Sequence, residues 1–255
     1  MPNHVTNIIT FSGDEEQISR VLESIKNDEY GLGTISFNKI IPMPESLNME
    51  AGSIENHSVN LYLSAINPMN DVYPGTEKMS GDEFVSLWKR LKRNVRFSPE
   101  ALIPLNEADS RTMSGKSVDV MLAMGKAYVD NLLKYDAATW YDWRIENWDT
   151  KWDAYGFDKD HEYDGSGVIR FCTAWAAPHK VIGKLSEMFP EMEVEHKWAD
   201  EDIGHNCGRY IYQGGERIEE YYPESEKDRI IFASDVIGFD PAEYGAAEEV
   251  GMEEN

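Results

Sequence analysis

The run Val168-Ile169-Arg170-Phe171-Cys172-Thr173-Ala174, followed by Pro178 and then by Met192-Glu193-Val194-Glu195-His196-Lys197-Trp198, decides the fold. The first seven residues are rich in β-branched and aromatic side chains and read as a strand. Pro178 suits the first turn of a helix, where a missing N–H costs nothing. Val181, Ile182, Leu185, Met188 and Phe189 follow at helical spacing, and Pro190 ends the segment. From Met192 to Trp198, apolar residues and His196 alternate with Glu193, Glu195 and Lys197, the period-two pattern of a strand with one buried face. The segment is a β–α–β unit.

Outward from it, Val5–Phe11 alternates and reads as another strand. Ser12 and Glu15 are spaced as a capping box, and Ile18, Val21, Leu22 and Ile25 follow at helical spacing. Thr34–Ile41 is predicted as a strand stopped by Pro42 and Pro44, which completes a first β–α–β unit. Downstream, Gly208–Gln213 and Glu216–Tyr222 flank Gly214-Gly215, a hairpin signal. Between the two units, residues 43–80 read as loop with one short ordered segment near Val59–Ile66. Asp82–Arg93 and Ser117–Tyr135 read as helices, residues 94–113 as irregular, and Trp140–Tyr155 as short helix and turn.

The chain is therefore expected to be α+β: a split ferredoxin-like βαβ–βαβ antiparallel sheet with helices on one face, a long, mostly helical insertion and an added C-terminal hairpin. The expected division is 1–42 plus 167–222 for the core with its hairpin, 43–166 for the insertion, and 223–255 for an acidic C-terminal segment whose last twenty or so residues fray.

Composition bounds the partners. The chain has 255 residues, 47 acidic against 24 basic, for a formal charge of −23. From Glu146 onward 27 acids face 10 bases, so most of the excess lies in the second half, and no Lys or Arg follows Arg229. Such a surface attracts basic proteins and repels phosphate backbones and anionic membranes. Direct nucleic-acid binding is not expected, although Tyr210, Tyr212, Tyr221 and Tyr222 offer aromatic rings on the sheet. Hydrophobic residues at 41%, with 7 Trp, are enough for a folded core. Cys172 and Cys207 do not form a disulfide framework. No basic leader or long apolar run is visible, so the expected compartment is the cytoplasm.

Two stretches carry a resemblance. Trp143-Arg144-Ile145-Glu146-Asn147-Trp148-Asp149-Thr150-Lys151-Trp152 and Phe171-Cys172-Thr173-Ala174-Trp175-Ala176-Ala177-Pro178, with the opening Met1-Pro2-Asn3 and the Ser12-Gly13 turn, resemble the YubB-type ferredoxin-like family of plasmid and phage proteins of uncharacterised function. The position after Trp148 is usually Gly in that pattern and is Asp149 here. The residue after Asn3, often aromatic, is His4, and the two prolines common at the helix start are Ala177-Pro178. The resemblance implies a ferredoxin-like domain in a mobile-element setting and no established reaction.

Candidate chemistry follows from the same stretches. Asn147, Trp148, Lys151, Trp152 and Trp175 mark the family cluster and are the residues to place on a binding surface, because Trp and flanking cations make good contact hot spots. The competing reading has Trp148 and Trp152 stapling the fold. Asp158, Asp160, Glu162 and Asp164 alternate oxygen ligands as a hard cation requires. They fail the EF-hand pattern, with Tyr163 where glycine should stand, and read better as a solvated loop. His196, His205 and Cys207, with Cys172 or His179 as a fourth ligand, match no usual zinc spacing. There is no phosphate-binding glycine loop and no G-x-S-x-G elbow, and no cofactor is expected. The function expected is a non-catalytic acidic interaction protein of a phage or plasmid that binds a basic host protein, of DNA-mimic or anti-defence type. The alternatives are a divergent metal-dependent hydrolase using the four acids and a structural or oligomeric module, with oligomeric state open.

Overall fold

The protein is described here from a computed structural model that covers residues 3–70, 72–73, 75–91, 115–157 and 163–246. Elements are numbered consecutively over those residues. The chain forms two compact units, Met1–Pro42 with Arg144–Asn255, and Met43–Trp143.

The first unit is built on five antiparallel strands: β1 (His4–Ser12), β2 (Val168–Ala174), β3 (Glu193–Asp200), β4 (Cys207–Gln213) and β5 (Glu216–Tyr221). Their order is β2-β1-β3-β4-β5. β1 lies between β2 and β3, with Val5 opposite Thr173 on one side and Asp200 on the other. The β2–helix–β3 unit is thus split by β1, the arrangement expected of a ferredoxin-like sheet. Gly214 and Gly215 both take positive φ, 58° and 88°, as a two-residue hairpin requires.

Alternation along β1 sets the two layers. Val5, Asn7, Ile9 and Phe11 are buried on one face, which is covered by α1 (Glu15–Ile25), the short α2 (Phe37–Ile40) and α7 (His179–Met188). Ile8 points the other way. There, with Ala199 and Cys207, it meets Ala233 and Val236 of α8 (Glu226–Ile237). Both faces carry helix, contrary to the one-sided arrangement expected. The small and apolar residues of α8 were hidden by the acids around them, and the chain predicted to fray is ordered through a 3-10 turn at Pro241–Tyr244. Residues 247–255 lie outside the described ones.

Thr34–Ile41 is not a strand. Ile35, Phe37 and Ile40 are buried, and the Asp153 carboxylate accepts from the Phe37 N–H (2.6 Å) and the Ser36 hydroxyl (2.9 Å). A carboxylate on free N–H groups starts a helix, so the segment curls into α2. The cap of α1 also differs: Asp14, not Ser12, accepts from the Gln17 N–H (2.8 Å), and Gln17 reaches back to the Asp14 N–H (3.0 Å). The boundary expected at 166/167 falls at 143/144, because Trp148, Thr150 and Asp153 all bond into the sheet unit.

The second unit is helical, with α3 (Ser53–Ile66), α4 (Gly81–Leu91) and α5 (Val118–Tyr135). α6 (Trp140–Trp148) follows α5 and runs across the division into the first unit. Leu87, Leu91, Tyr128, Val129 and Leu132 share a core with Val59 and Leu63. α3 contains the short ordered segment expected near Val59–Ile66 and extends it back to Ser53, where loop was expected. Its Ser and Asn content disguised it, yet Ser58 and Ser64 are buried because α5 comes so close. A Cβ on Gly125 would stand 2.1 Å from the Ser58 carbonyl oxygen, so only glycine admits this crossing. The segment predicted irregular, 94–113, and the last two residues of the helix predicted to Arg93 lie outside the described residues.

Candidate functional site

The Trp148–Trp152 loop and the Ala174–Pro178 turn are locked together by one hydroxyl. Thr150 Oγ1 donates to the Ala174 carbonyl (2.9 Å) and accepts from the Ala174 N–H (3.2 Å). Below the loop, Trp148 is fully buried. Its indole N–H donates to the Ile41 carbonyl (2.9 Å), its ring meets Phe37 edge-on at 5.8 Å, and Arg144 lies over it at 4.8 Å. Trp148 is therefore an anchor and not a contact residue. Asn147, at the end of α6, stands beside it.

Asp149 stands where the resembled pattern usually has Gly. Its φ is 63°, a left-handed conformation that glycine adopts freely and Asp tolerates. In exchange its carboxylate accepts from the Lys180 N–H (2.8 Å) and faces the Lys180 ammonium at 3.3 Å. It caps the first turn of α7, whose own preceding residue, Pro178, offers no side-chain cap. His4 stands where that pattern often has an aromatic residue. Its imidazole packs edge-on against Tyr155 (5.6 Å), and Nδ1 lies 2.6 Å from the Tyr155 hydroxyl, so it occupies an aromatic's place.

Lys151, Trp152 and Trp175 come together at the surface. The Lys151 ammonium sits 4.1 Å from the Trp152 ring centre and 3.8 Å from that of Trp175, between the two indoles. Trp152 is 38% exposed and Trp175 46%. Trp175 holds φ at 72°, a conformation costing a bulky residue on the order of 1–3 kcal/mol, and its N–H donates to the Asn3 carbonyl (2.9 Å). Tyr155 stands edge-on to Trp152 at 6.0 Å, and burial pushes its hydroxyl up to about 12. Of the five residues predicted for a binding surface, the structure brings Lys151, Trp152 and Trp175 together at the protein's exterior and puts Trp148 in the core. Tyr155 and His4 belong with them; only the aromatic preference at the fourth position of the resembled pattern hinted at His4.

Beneath α7 a second cluster fills the core. His196 is fully buried and its Nε2 lies 3.0 Å from Asn7 Oδ1. Asn7 Nδ2 donates to the Val5 carbonyl and to Thr173 Oγ1, both at 2.9 Å. Asn7 therefore presents oxygen to the imidazole, and His196 donates from Nε2. Rings of His179, Trp198 and Tyr210 pack around it. Burial drives His179 down to about 4, and burial followed by the proximity of His179 pushes His196 well below its ordinary value. These are neutral core imidazoles. His196 faces α7 whereas Cys207 packs under α8, so the sheet separates the zinc ligands weighed from sequence. Cys172 and Cys207 are free thiols, raised by burial.

Of the four acids weighed as cation ligands, Asp158, Asp160 and Glu162 lie outside the described residues. Asp164 accepts from the Ser166 N–H at 2.9 Å, closing a tight turn. Among the described residues, no group of three His, Cys, Asp or Glu side chains is placed to hold a metal ion. No described helix is long and apolar enough to cross a membrane.

A third feature is the β5 edge. All six residues of β5 are exposed, and its outer side pairs with nothing among the described residues. From Glu216 to Asp228 six carboxylates stand against two bases. Exposed Ile218 (54%), Tyr221 and Tyr222 lie among them.

A five-stranded antiparallel sheet with a split βαβ unit defines this as a ferredoxin-like domain. Residues 147–240, from the Trp148 anchor through α8, match the family model described as the ferredoxin-like domain in Api92-like protein. The match covers less than half of the chain, and β1, which completes the sheet, lies outside the matched residues. A crystal structure of a protein api92 from Yersinia pseudotuberculosis aligns with 88% of this chain and 99% of that one, at 10% identity and a TM-score of 0.39. No curated protein matches the chain.

Proposed function

We propose that the protein is a non-catalytic interaction protein whose acidic surface docks on a basic protein partner. The observation that carries this reading is the β5–α8 edge, where exposed Glu216, Glu219, Glu220, Glu224 and Glu226 surround exposed Ile218, Tyr221 and Tyr222. Interfaces combine such an apolar and aromatic centre with a charged rim. The carboxylates speed encounter with a cationic surface, and the aromatic residues supply the contact. The mobile-element setting implied by the YubB-type resemblance fits a partner that ordinarily binds nucleic acid, for which an acidic edge acts as a decoy.

Some of the same features also guard an edge strand against aggregation, which charged side chains and a bulge accomplish. β5 has both, with its register shifting opposite Ile211 and Tyr212. Three large apolar or aromatic side chains left exposed on that strand and just past its end are more than protection requires.

The test is zero-length carbodiimide cross-linking of the protein to partners captured from a host lysate, followed by mapping of the linked carboxylates. Links concentrated on Glu216–Glu226 to lysines of one basic protein are expected. Recovery of no basic protein at low or high salt, or links scattered over the whole surface, would remove the proposal.

A further inference from the structure

The sheet's opposite edge, where β2 ends at Ala174, carries one cation set between two exposed rings. Lys26, Lys39 and Lys180, among others, have a carboxylate partner, whereas Lys78, Lys89 and Lys227 have none among the described residues. Lys151 has none among the described residues, although the chain holds about twice as many acids as bases. It is held instead between two exposed indole rings. The indole N–H groups of Trp152 and Trp175 likewise meet no acceptor among the described residues. An ammonium and two indoles offer donors and no acceptor, so the patch is complementary to an anion with an apolar body.

The patch is also preorganised. Thr150 ties one loop to the other through both backbone groups of Ala174, Asn3 holds the Trp175 N–H, and Trp148 anchors the first loop in the core. Residues fixed before binding lose little freedom on binding. A bulky aromatic in a left-handed turn, left nearly half exposed, sacrifices stability to present its ring.

We infer that Lys151, Trp152 and Trp175 form a docking site for a short acidic peptide segment, in which a carboxylate takes the Lys151 ammonium and a neighbouring aliphatic side chain packs on the two indoles. A peptide is favoured over single-stranded nucleic acid because the site has one cation and no track of them for successive phosphates. The site does not depend on the basic-partner reading and stands or falls apart from it.

The test follows the seven tryptophan indole N–H resonances of the nitrogen-15-labelled full chain, with Trp152 and Trp175 identified through Trp152→Phe and Trp175→Phe. The probes are an acetylated, amidated pentapeptide Leu-Asp-Leu-Glu-Leu, its Asn/Gln counterpart, and a thymidine decamer. The acidic peptide should shift the Trp152 and Trp175 signals saturably and leave buried Trp148 in place. The Asn/Gln peptide and the Lys151→Met variant should each bind about tenfold more weakly, the loss of one charge-assisted contact, while Lys151→Arg retains binding. An unmoved Trp148 signal certifies that a variant is folded; where Lys151→Met disturbs it, the two peptides decide. Equal response to both peptides, preference for the decamer, or no shift with any probe would each overturn the inference.

Discussion

The buried imidazole of His196 donates to the side-chain oxygen of Asn7 across adjacent strands, at 3.0 Å. This one contact fixes both side chains, because Asn7 uses its amide nitrogen on Val5 and Thr173. It also commits His196 to its neutral form, since a second proton on Nδ1 would be buried with no acceptor.

Stability should therefore fall in mild acid. His196 and His179 are held below their ordinary value of 6.5 in the folded protein, His179 at about 4, and both regain it on unfolding. The unfolded chain then binds more protons, so this contribution is whole above about pH 6.5 and is lost as pH falls toward 4. Urea midpoints at about pH 7.5 and about pH 5 should differ by up to roughly 1.4 kcal/mol per pH unit for each histidine. His179→Gln should flatten the dependence; an unchanged slope would show that His179 already titrates normally.

Two tryptophans four residues apart should behave oppositely. Trp148→Ala removes a fully buried ring and should cost about 3–5 kcal/mol in chemical denaturation. Trp152→Ala removes a half-exposed ring and should cost under about 1 kcal/mol. Trp175→Gly relieves the left-handed backbone and should leave stability unchanged or raise it by up to about 1 kcal/mol.

Asp149 should act as a cap supplied from outside its helix. Asp149→Ala loses the bond to the Lys180 N–H while keeping the positive φ, and should cost about 1–2 kcal/mol. Asp149→Gly keeps the backbone easy and loses only the cap, so it should cost less than the alanine. An alanine variant as stable as wild type in thermal unfolding would show that Pro178 starts α7 unaided.

In the helical unit, Gly125→Ala should destabilise by about 1–3 kcal/mol, because its methyl group meets the Ser58 carbonyl and the crossing must open. Differential scanning calorimetry of the full chain gives the measurement. A variant melting with the wild type would mean that α3 and α5 slide apart at little cost.

The sheet was legible where alternation was strict. β1, β2, β3 and the Gly214-Gly215 hairpin all lie where periodicity placed them. Thr34–Ile41 misled because Ile35 and Phe37 alternate as a strand does, while the deciding group, Asp153, is more than a hundred residues away in sequence. α3 was obscured because its buried face uses serine, and the backbone crossing at Gly125 that buries it is a tertiary contact. In the Trp148–Trp152 motif the residue types were visible, but their roles depend on the loop's left-handed Asp149 and the Thr150 lock, and tertiary contacts alone decide which ring faces in. The acidic edge was legible as a count of charges; its exposed Ile218, Tyr221 and Tyr222 appear only once β5 is seen to be the last strand.

Steering of a basic partner by the acids of the β5 edge is the proposal on which the functional reading rests. It is tested most directly by the association rate of the cross-linked partner with wild type and with a Glu216→Gln, Glu219→Gln, Glu220→Gln variant across a range of salt. The account predicts a rate that falls steeply with salt for wild type, and a slower, flatter dependence for the variant. Identical rates and salt slopes for the two proteins would contradict it.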